Sequence, residues 1–354
     1  MTLETLAALD HDLSVPKFVV DVGGATFEET DGLVTSVTVD ATMDGADHFS
    51  LEIASRFDHE SSEFVDFDWD DVPVGERVEI AMGYGTPEDL ETMFVGSVTE
   101  LGTDFPAGGS PTISVSGYGR YHDLTKNVVE ERWEERTDSE IAAAIADAYG
   151  LEADVRELSD DERRSVTYNN EESDADYLAD LAERNGTDGG PFQAFVRRET
   201  LVFRPPATDG DPVLELSYGE SLESFSPSFT DARTLDGVTV LDWDPEAKER
   251  IEGTAGDTDG ERTRTVKRSV ASKKEAETIA KRLLNEREDE RFEGRAETVG
   301  LPELDVDETV VLSGLGERFS GTYYVTDVTH TIDTGGYRTR FEVRLAAKAE
   351  GSDR

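Results

Sequence analysis

The chain has 354 residues, of which 80 are Asp or Glu and 34 are Lys or Arg, so its formal net charge is −46. This charge argues against stable binding to nucleic acid or to an anionic membrane, because both need clustered basic residues that displace counterions. Hydrophobic residues make up 36% of the chain, below the average of about 45–50% even when glycine is allowed for. Ordered apolar patterns nevertheless recur throughout, so we expect a folded chain of two or three domains.

The basic residues are mostly arginine, since only 8 of the 34 are lysine. An acidic, lysine-poor composition resembles that of proteins from salt-loving organisms, and it predicts a haloarchaeal source. At ~1 M salt the Debye length is about 3 Å, so charge repulsion within the chain is screened there. We therefore expect the protein to fold in molar salt.

The chain contains no cysteine and no run of about 18 apolar residues. Disulfides, zinc–thiolate sites and membrane-spanning helices are therefore not expected. Met1–Asp10 holds two acidic residues and no basic one, unlike a signal peptide. Residues 1–14 are interpreted as an N-terminal extension.

Residues 15–120 carry a series of short patterns in which apolar and polar residues alternate. Two examples are Phe49–Ile53 and Val78–Tyr84, and clusters of Gly, Pro, Asp and Asn separate the runs. Alternation with period two is typical of half-buried strands. Several such strands at this spacing predict a β-sandwich or barrel.

Residues 121–210 change to a mixed pattern of helices and strands. The sequences T-D-S-E at 137–140 and S-D-A-D at 173–176 are typical of capped helix starts. Gly150 and Gly186 stand where these two helices would end. Short strand signals flank the helices, and the segment is predicted to be a small α/β insert domain.

Strand patterns return over residues 211–346 and are interrupted by one helix predicted near 272–290, where Ser272 and Glu275 form a third capping box. The stretch 253–260 has the sequence G-T-A-G-D-T-D-G, which predicts a mobile loop. Residues 347–354 are interpreted as a polar tail.

A weak internal repeat links the two strand-rich regions. ERVEIAMGYG at 76–85 resembles ETVVLSGLG at 308–316, and VTEL at 98–101 resembles VTDV at 325–328. Each copy ends in an alternating strand, TISVSG at 112–117 and RFEVRL at 340–345. The repeat favours one β-barrel used twice, but two unrelated antiparallel meanders could also align this well.

Motifs for catalysis and cofactor binding are missing from the sequence. It has no G-x-S-x-G, G-x-x-x-x-G-K-[ST] or H-E-x-x-H, which would indicate hydrolase, phosphate-binding or zinc-protease chemistry. The five histidines lie far apart, and acidic pairs are too frequent to mark a glycosidase site. We expect no catalytic residue and no cofactor.

A weak metal-site candidate is the D-x-D-x-D sequence of Asp66, Asp68 and Asp70. It is similar to the start of an EF-hand loop, but Asp71 stands where the loop needs glycine, and Arg77 where it needs glutamate. In a chain so rich in acid, one such triplet is expected by chance.

Several segments taken together resemble one known family. They include SGYGRYHDLT (116–125), LVFRPP (201–206), LDGVTVLDWDPEAKE (235–249) and GERFSGTYYVTDVTHTIDTGGYRTRFEVRL (316–345). This ordered set resembles the late-control D proteins of phages and the VgrG-type baseplate hubs of contractile tails and injection systems. The motif positions are interpreted as structural, and they are Gly117, Tyr118, Gly186, Trp243, Phe319, Gly321, His330, Gly336 and Tyr337.

The resemblance implies a mainly β fold with two related tube-like β-barrels, at 15–120 and 211–346, and the α/β insert between them. It also implies a homotrimer in which six barrels meet a hexameric inner tube, with a spike on the opposite face. Because VgrG chains continue beyond this point and this chain stops at Arg354, the spike is expected to be a separate polypeptide. Other baseplate proteins are expected partners.

The resemblance further implies assembly in the cytoplasm and a place in a virion tail or an injection particle. Two alternatives stay open at this point. One is a cell-wall hydrolase of a tail tip that uses two acidic residues, and the other is an adhesion protein that binds carbohydrate or calcium.

Overall fold

The computed structural model describes residues 15–107, 109–126, 132–157, 167–168, 172–187, 190–208, 210–229, 235–244, 248–267, 270, 272–289 and 292–346. Strands dominate these residues, and the helices cluster in the middle of the chain and near residue 280. This confirms the predicted fold class, mainly β with an α+β insert. The N-terminal extension and the polar tail lie outside the described residues.

The elements fall into three groups along the chain. The first region contains β1 (Pro16–Val22), β2 (Ala25–Glu28), β3 (Val34–Thr42), β4 (His48–Ala54), β5 (Phe57–Asp58), β6 (Glu63–Phe64), β7 (Arg77–Tyr84), β8 (Glu91–Asp104) and β9 (Thr112–Gly119). Three 3-10 turns accompany them, at Glu29–Asp31, Trp69–Asp71 and Pro87–Asp89. The insert contains α1 (Tyr121–Lys126), β10 (Arg132–Trp133), α2 (Asp138–Ala148), β11 (Glu152–Val155), β12 (Thr167–Tyr168), α3 (Asp174–Arg184), β13 (Gly186–Thr187), β14 (Gly190–Pro191), β15 (Gln193–Arg197) and β16 (Thr200–Arg204). The last region contains β17 (Leu214–Ser217), β18 (Leu222–Phe229), β19 (Gly237–Asp244), β20 (Glu249–Gly256), β21 (Thr263–Lys267), α4 (Lys273–Asp289), β22 (Phe292–Val299), β23 (Thr309–Ser313), β24 (Gly321–Asp333) and β25 (Gly336–Leu345).

One continuous sheet connects the first and last regions. Among the described residues it has 13 strands and follows the order β18-β22-β25-β24-β3-β4-β9-β8-β7-β1-β2, with β17 and β23 paired beside β24. The strand pairs of these residues therefore form an open path that passes from one region into the other at β24 and β3. Two apolar cores lie against this sheet, one built mainly from the first region and one mainly from the last.

The insert folds around its own apolar core. Its three-stranded sheet has the order β11-β16-β15, and α1, α2 and α3 supply most of the remaining core residues. Both predicted helix starts are confirmed, because the hydroxyls of Thr137 and Ser173 accept hydrogen bonds from Glu140 N and Asp176 N at 3.1 Å. Such caps satisfy amide groups that a first helical turn leaves unpaired.

The helix predicted near 272–290 spans Lys273–Asp289 and packs on a separate three-stranded sheet of β19, β20 and β21. The loop predicted at 253–260 is wrong in its first half, because residues 253–256 form the end of β20. A Cβ on Gly253 would lie 2.2 Å from the backbone of Ala276 in α4. The glycine therefore permits a close approach of helix and strand, and it does not mark a loop. Within the described part of the chain, no helix has the length and apolar character needed to cross a membrane.

Candidate functional site

The first and last regions repeat one arrangement of six strands. In the first region the spatial order is β1-β7-β8-β9-β4-β3, and in the last region it is β17-β23-β24-β25-β22-β18. In chain order the six strands are β1, β3, β4, β7, β8 and β9 in the first unit, and β17, β18, β22, β23, β24 and β25 in the last. Strands at the same place in these two series occupy the same place in the sheet, so the units share both spatial order and chain order. One pair differs in direction, since β1 and β7 are antiparallel whereas β17 and β23 are parallel.

A β-bulge lies at the same place in the middle strand of both units. In β8 the register against β9 shifts between Val98 and Glu100, and in β24 the register against β25 shifts between Val325 and Asp327. Val98 exchanges backbone hydrogen bonds with Gly75 and Glu76 at 2.8 and 3.0 Å. Val325 makes the same two bonds, to Asp307 and Glu308, at 3.0 and 2.8 Å. Because bulges sit at defined positions in a fold, this coincidence supports a true structural repeat.

A second bulge also coincides in the two units. The register of β3 against β4 shifts between Val34 and Ser36, and that of β18 against β22 shifts between Leu222 and Ser224. The bulges therefore give a residue-by-residue correspondence between the units. In this correspondence the counterpart of Gly117 is Val343. The sequence repeat, which aligned 112–117 with 340–345, had instead paired Gly117 with Leu345, two residues further on.

The two units meet at an antiparallel joint between the second half of β24 and β3. Its register places Ile332 opposite Val37 and Thr331 opposite Thr38. The two threonine hydroxyls are 3.3 Å apart, and Thr329 donates a hydrogen bond to Asp40 at 2.6 Å. Ile332 is buried in the apolar core of the first region. The last region therefore contributes both a strand and core side chains to the first.

A buried ionic cluster ties the insert to both units. Arg197, on β15, donates to Asp47 at 2.9 Å, to Asp305 at 2.6 Å and to the carbonyl oxygen of Met93 at 2.8 Å. Arg198 binds the other oxygen of Asp305 at 2.8 Å. The side chains of Arg197 and Asp47 are 9% and 3% exposed. Since a buried charge is stable only when it is paired, these contacts fix the relative positions of the three parts of the chain.

The pKa of each carboxylate in the cluster depends on how many arginine side chains it pairs with. Burial opposes ionisation of Asp305, but Arg197 and Arg198 together hold its pKa below the usual value. Asp47 pairs with Arg197 alone among the described guanidinium groups, and burial raises its pKa. Burial also raises the pKa of the neighbouring Glu308 to about 7. Glu308, beside the cluster, therefore has a pKa that places its titration near neutral pH.

A second set of polar contacts extends this junction on the same strands of the insert. Arg204, on β16, binds Asp154 and Asp307, each at 2.6 Å. The hydroxyl of Tyr324 donates to Asp307 and lies 2.9 Å from Oε1 of Gln193. The sequence motif LVFRPP contains Arg204, but the motif did not reveal these partners. The adjacent arginines 197–198 were only a weak sequence signal, because the chain also contains an arginine pair at 163–164.

The glycines among the predicted motif positions differ in their surroundings. Gly117 lies inside β9, where a Cβ would come within 2.0 Å of the carbonyl oxygen of Ser97, whereas a Cβ on Gly321 would meet nothing within 4 Å. Gly336 begins β25 with a φ of 108°, which only glycine adopts readily. Gly186 follows α3 and begins β13.

The aromatic motif positions divide into exposed and buried groups. Trp243 is 59% and Tyr118 41% exposed, and the Tyr118 ring lies 5.2 Å from that of His48. The carbonyl of Phe319 accepts a hydrogen bond from Tyr323 at 2.7 Å. These positions lie on different elements, with Tyr118 on β9, Trp243 on β19 and Phe319 shortly before β24.

His330 and Tyr337 form a buried pair beside the joint between β24 and β3. The Tyr337 hydroxyl lies 2.9 Å from Nδ1 of His330, and Nε2 lies 3.1 Å from the carbonyl oxygen of Leu304. Burial lowers the pKa of His330 to about 4, so the ring is neutral near pH 7. Both ring nitrogens of His330 therefore lie within hydrogen-bond distance of a partner, and its structural role stays a prediction.

The three aspartates of the metal-site candidate have separate roles. Asp66 forms an ion pair with Arg56 at 3.2 Å, and Asp68 accepts a hydrogen bond from Asp70 N at 3.0 Å at the start of a 3-10 turn. Among the described residues, no group of three or more His, Asp or Glu side chains is placed to hold a metal ion.

Comparison with solved structures finds the same fold in tail proteins. A 43 kDa tail protein of prophage MuSo2 from Shewanella oneidensis matches with a TM-score of 0.75 at 15% identity, over 94% of this chain and 99% of that one. A tail protein from Neisseria meningitidis MC58 matches with a TM-score of 0.70 at 14% identity, over 93% and 96%. The c3393 protein of E. coli, described as a type VI secretion system component similar to T4 bacteriophage tail proteins gp27 and gp5, matches with a TM-score of 0.57 at 12% identity, over 91% and 76%.

Comparison with known sequences gives two results. No curated protein matches the chain significantly. The family model described as the Alg8 N-terminal domain matches residues 13–278 and 258–334, which is well over half of the chain. The protein therefore belongs to the Alg8 N-terminal domain family.

Proposed function

We propose that the protein is a structural baseplate hub of a contractile phage tail or a contractile injection system. In this proposal it forms a homotrimer that acts as a pseudo-sixfold adaptor between a hexameric inner tube and a spike. The observation that carries the proposal is the six-strand unit present twice in one chain. A threefold assembly can match a sixfold partner only if each subunit presents two equivalent surfaces.

The buried junction supports this role because an adaptor must hold its two units in a fixed relation. Arg197 connects the insert to Asp47 of the first unit and to Asp305 of the last. We propose that residues 15–120 and 211–346 form the two tube-like domains and that residues 121–210 form the insert that locks them together. The proposed work of the protein is geometric and involves no chemical reaction.

The proposal assigns the chain to a virion tail or an injection particle assembled in the cytoplasm. Its partners would be the inner tube protein, the spike and other baseplate proteins. The net charge of −46 favours assembly in molar salt, because like charges on neighbouring subunits are then screened within a few ångströms. It also favours partners other than nucleic acid.

The test is the assembly state and partner binding of the purified protein in ~2 M KCl. Light scattering should give a mass three times that of the 38.9 kDa chain, and electron micrographs should show a ring of six similar units. Co-expression with the inner tube and spike proteins of the same gene cluster should give complexes with both. A monomer at micromolar concentration that binds neither partner would refute the proposed function.

A further inference from the structure

The second half of β8 has a free edge. On one side β8 pairs with β9 as far as Asp104. On the other side β7 pairs only with residues 91–97, and the backbone of Val98 is occupied by Gly75 and Glu76. Within the described residues no strand lies against residues 100–104 on that side. Unpaired strand edges are sites where another strand can add.

A second free edge belongs to β18. This strand pairs with β22 along Leu222–Phe229 and ends the path of the 13-stranded sheet as far as the structure describes it. The side chains of Ser224, Ser226 and Ser228 on this strand are exposed. Among the described residues, no strand pairs with the outer edge of β18.

These two edges are the counterparts of the two strands joined inside the chain. The bulges set β8 against β24 and β18 against β3, and β24 and β3 pair with each other. Each of the two strands in the internal joint therefore has an equivalent whose matching edge has no partner strand among the described residues. In the part of the chain that the structure describes, this joint forms once, although the repeat contains the strands for two.

We infer that β8 of one copy pairs antiparallel with β18 of a second copy, and that this contact is the subunit interface of the trimer. The inference rests on the proposed hub function. It gives the interface between copies the same geometry as the joint within each copy, so that six units follow one another around a ring. Because the two edges differ, the contact is head-to-tail and closes only at a fixed number of copies.

The internal joint predicts the register of the contact. In the internal joint, Ile332 lies opposite Val37 and Thr331 lies opposite Thr38. When each residue is replaced by its counterpart from the bulge correspondence, the contact between copies has Phe105 opposite Phe225. It also has Asp104 opposite Ser226. A serine hydroxyl opposite a carboxylate can donate a hydrogen bond, as Thr329 does to Asp40 in the internal joint.

The apolar pair explains an exposed aromatic side chain. Phe105 is 56% exposed in the single chain, whereas its counterpart Ile332 is 4% exposed. The Phe225 ring is half-buried and lies 5.6 Å from Tyr323 in the core of the last region. Pairing of the two edges would place Phe105 beside this core, as Ile332 is placed beside the core of the first region. Phe105 also contacts Phe57 at 5.2 Å, so the covered surface would extend over neighbouring aromatic rings.

One residue weakens the proposed ladder. Pro227 is the counterpart of Val39 and has no backbone N–H to donate. Proline is tolerated on edge strands, and it removes at most one hydrogen bond from the contact. The interface between copies is therefore expected to be weaker than the internal joint, as separable subunits require.

The absence of cysteine allows a direct test by disulfide formation. Asp104 and Ser226 are exposed, so Asp104→Cys and Ser226→Cys should leave folding unchanged, which circular dichroism will check. Under mild oxidation in ~2 M KCl, a mixture of the two single variants should give covalent dimers with one cysteine from each chain. The double variant should give covalent trimers. A double variant of Glu91→Cys and Ser226→Cys is the matched control, because Glu91 lies at the opposite end of β8 and is paired with Met82 of β7.

Each outcome decides the inference. Trimers without the Asp104–Ser226 disulfide, or with equal disulfide in the control, would overturn the register and leave the hub function standing. A monomer that binds neither tube nor spike would overturn both. As an independent check, Phe105→Ser should raise the trimer dissociation constant by about tenfold or more, whereas Trp243→Ser, at a similarly exposed aromatic, should not change it. Equal effects of these two variants would count against the interface.

Discussion

Replacing Arg197 by methionine should destabilise the protein more than any change to a surface ion pair. Methionine keeps much of the buried aliphatic volume but removes the charge. Asp305 retains Arg198 at 2.8 Å, so the carboxylate left without a cation is Asp47, which is 3% exposed. Breaking a buried ion pair in this way costs about 3–5 kcal/mol.

The uncompensated charge should account for most of this loss. Asp47→Asn removes that charge while its side-chain oxygen can still accept the hydrogen bond from Thr42 N at 3.1 Å. The double variant Arg197→Met/Asp47→Asn should therefore recover about 2 kcal/mol relative to the additive expectation. What remains is the loss of the hydrogen bond from Arg197 to the carbonyl of Met93, which costs about 1–3 kcal/mol if that oxygen is left buried.

Urea unfolding in ~2 M KCl at pH 7.5, followed by tryptophan fluorescence, measures these free energies. Arg295→Met is the matched control, because Arg295 pairs with Glu342 at 2.8 Å while 80% exposed, and such pairs contribute about 0–1 kcal/mol. A loss below ~1 kcal/mol for Arg197→Met would refute the view that this cluster locks the three parts together. Simple additivity in the double variant would refute the role assigned to Asp47.

Three further predictions follow from the fold and its charges. Burial raises the pKa of Glu308 from 4.5 to about 7, so the folded state favours the protonated form of this side chain. Its contribution to the free energy of unfolding is full below about pH 4.5 and is lost as the pH rises through 7. Glu308→Gln should therefore raise the free energy of unfolding at pH 8 by up to ~3 kcal/mol and leave it nearly unchanged at pH 4.5, and an equal change at both pH values would contradict this cause. Gly117→Ala should lower stability by about 1–3 kcal/mol through its clash with Ser97, while Gly321→Ala, with open space around it, should cost clearly less in the same assay. Thermal melts of the wild-type chain should rise with KCl from ~0.1 to 2 M, and an unchanged or falling melting temperature would remove the case for adaptation to salt.

Local patterns in the sequence were sufficient to predict many elements. Alternation identified β4, β7 and β9, and the serine or threonine caps identified three helix starts. These features depend on residues within a few positions of one another, which a single sequence displays directly. The loop predicted at 253–260 failed because glycine also serves close helix–strand packing, and composition alone cannot separate the two uses.

The features that hold the parts together depend on residues far apart in the chain. Arg197 meets partners 150 and 108 residues away, and nothing in the local pattern specifies Asp47 or Asp305 among 80 acidic residues. The internal repeat was visible in the sequence, but its register in the last strand was not. The bulges fix that register because they depend on strand pairing, which periodicity does not report.

The differences between the two units matter as much as their likeness. The first unit carries the β5–β6 hairpin between β4 and β7, whereas the last unit carries β19–β21 and α4 between β18 and β22. Both insertions lie in connections, so the six-strand order is unchanged. In the proposed trimer, the strands would therefore repeat six times around the ring while each insertion would repeat three times. A ring with sixfold strands and threefold attachments has the two symmetries that an adaptor between a hexameric tube and a trimeric spike requires.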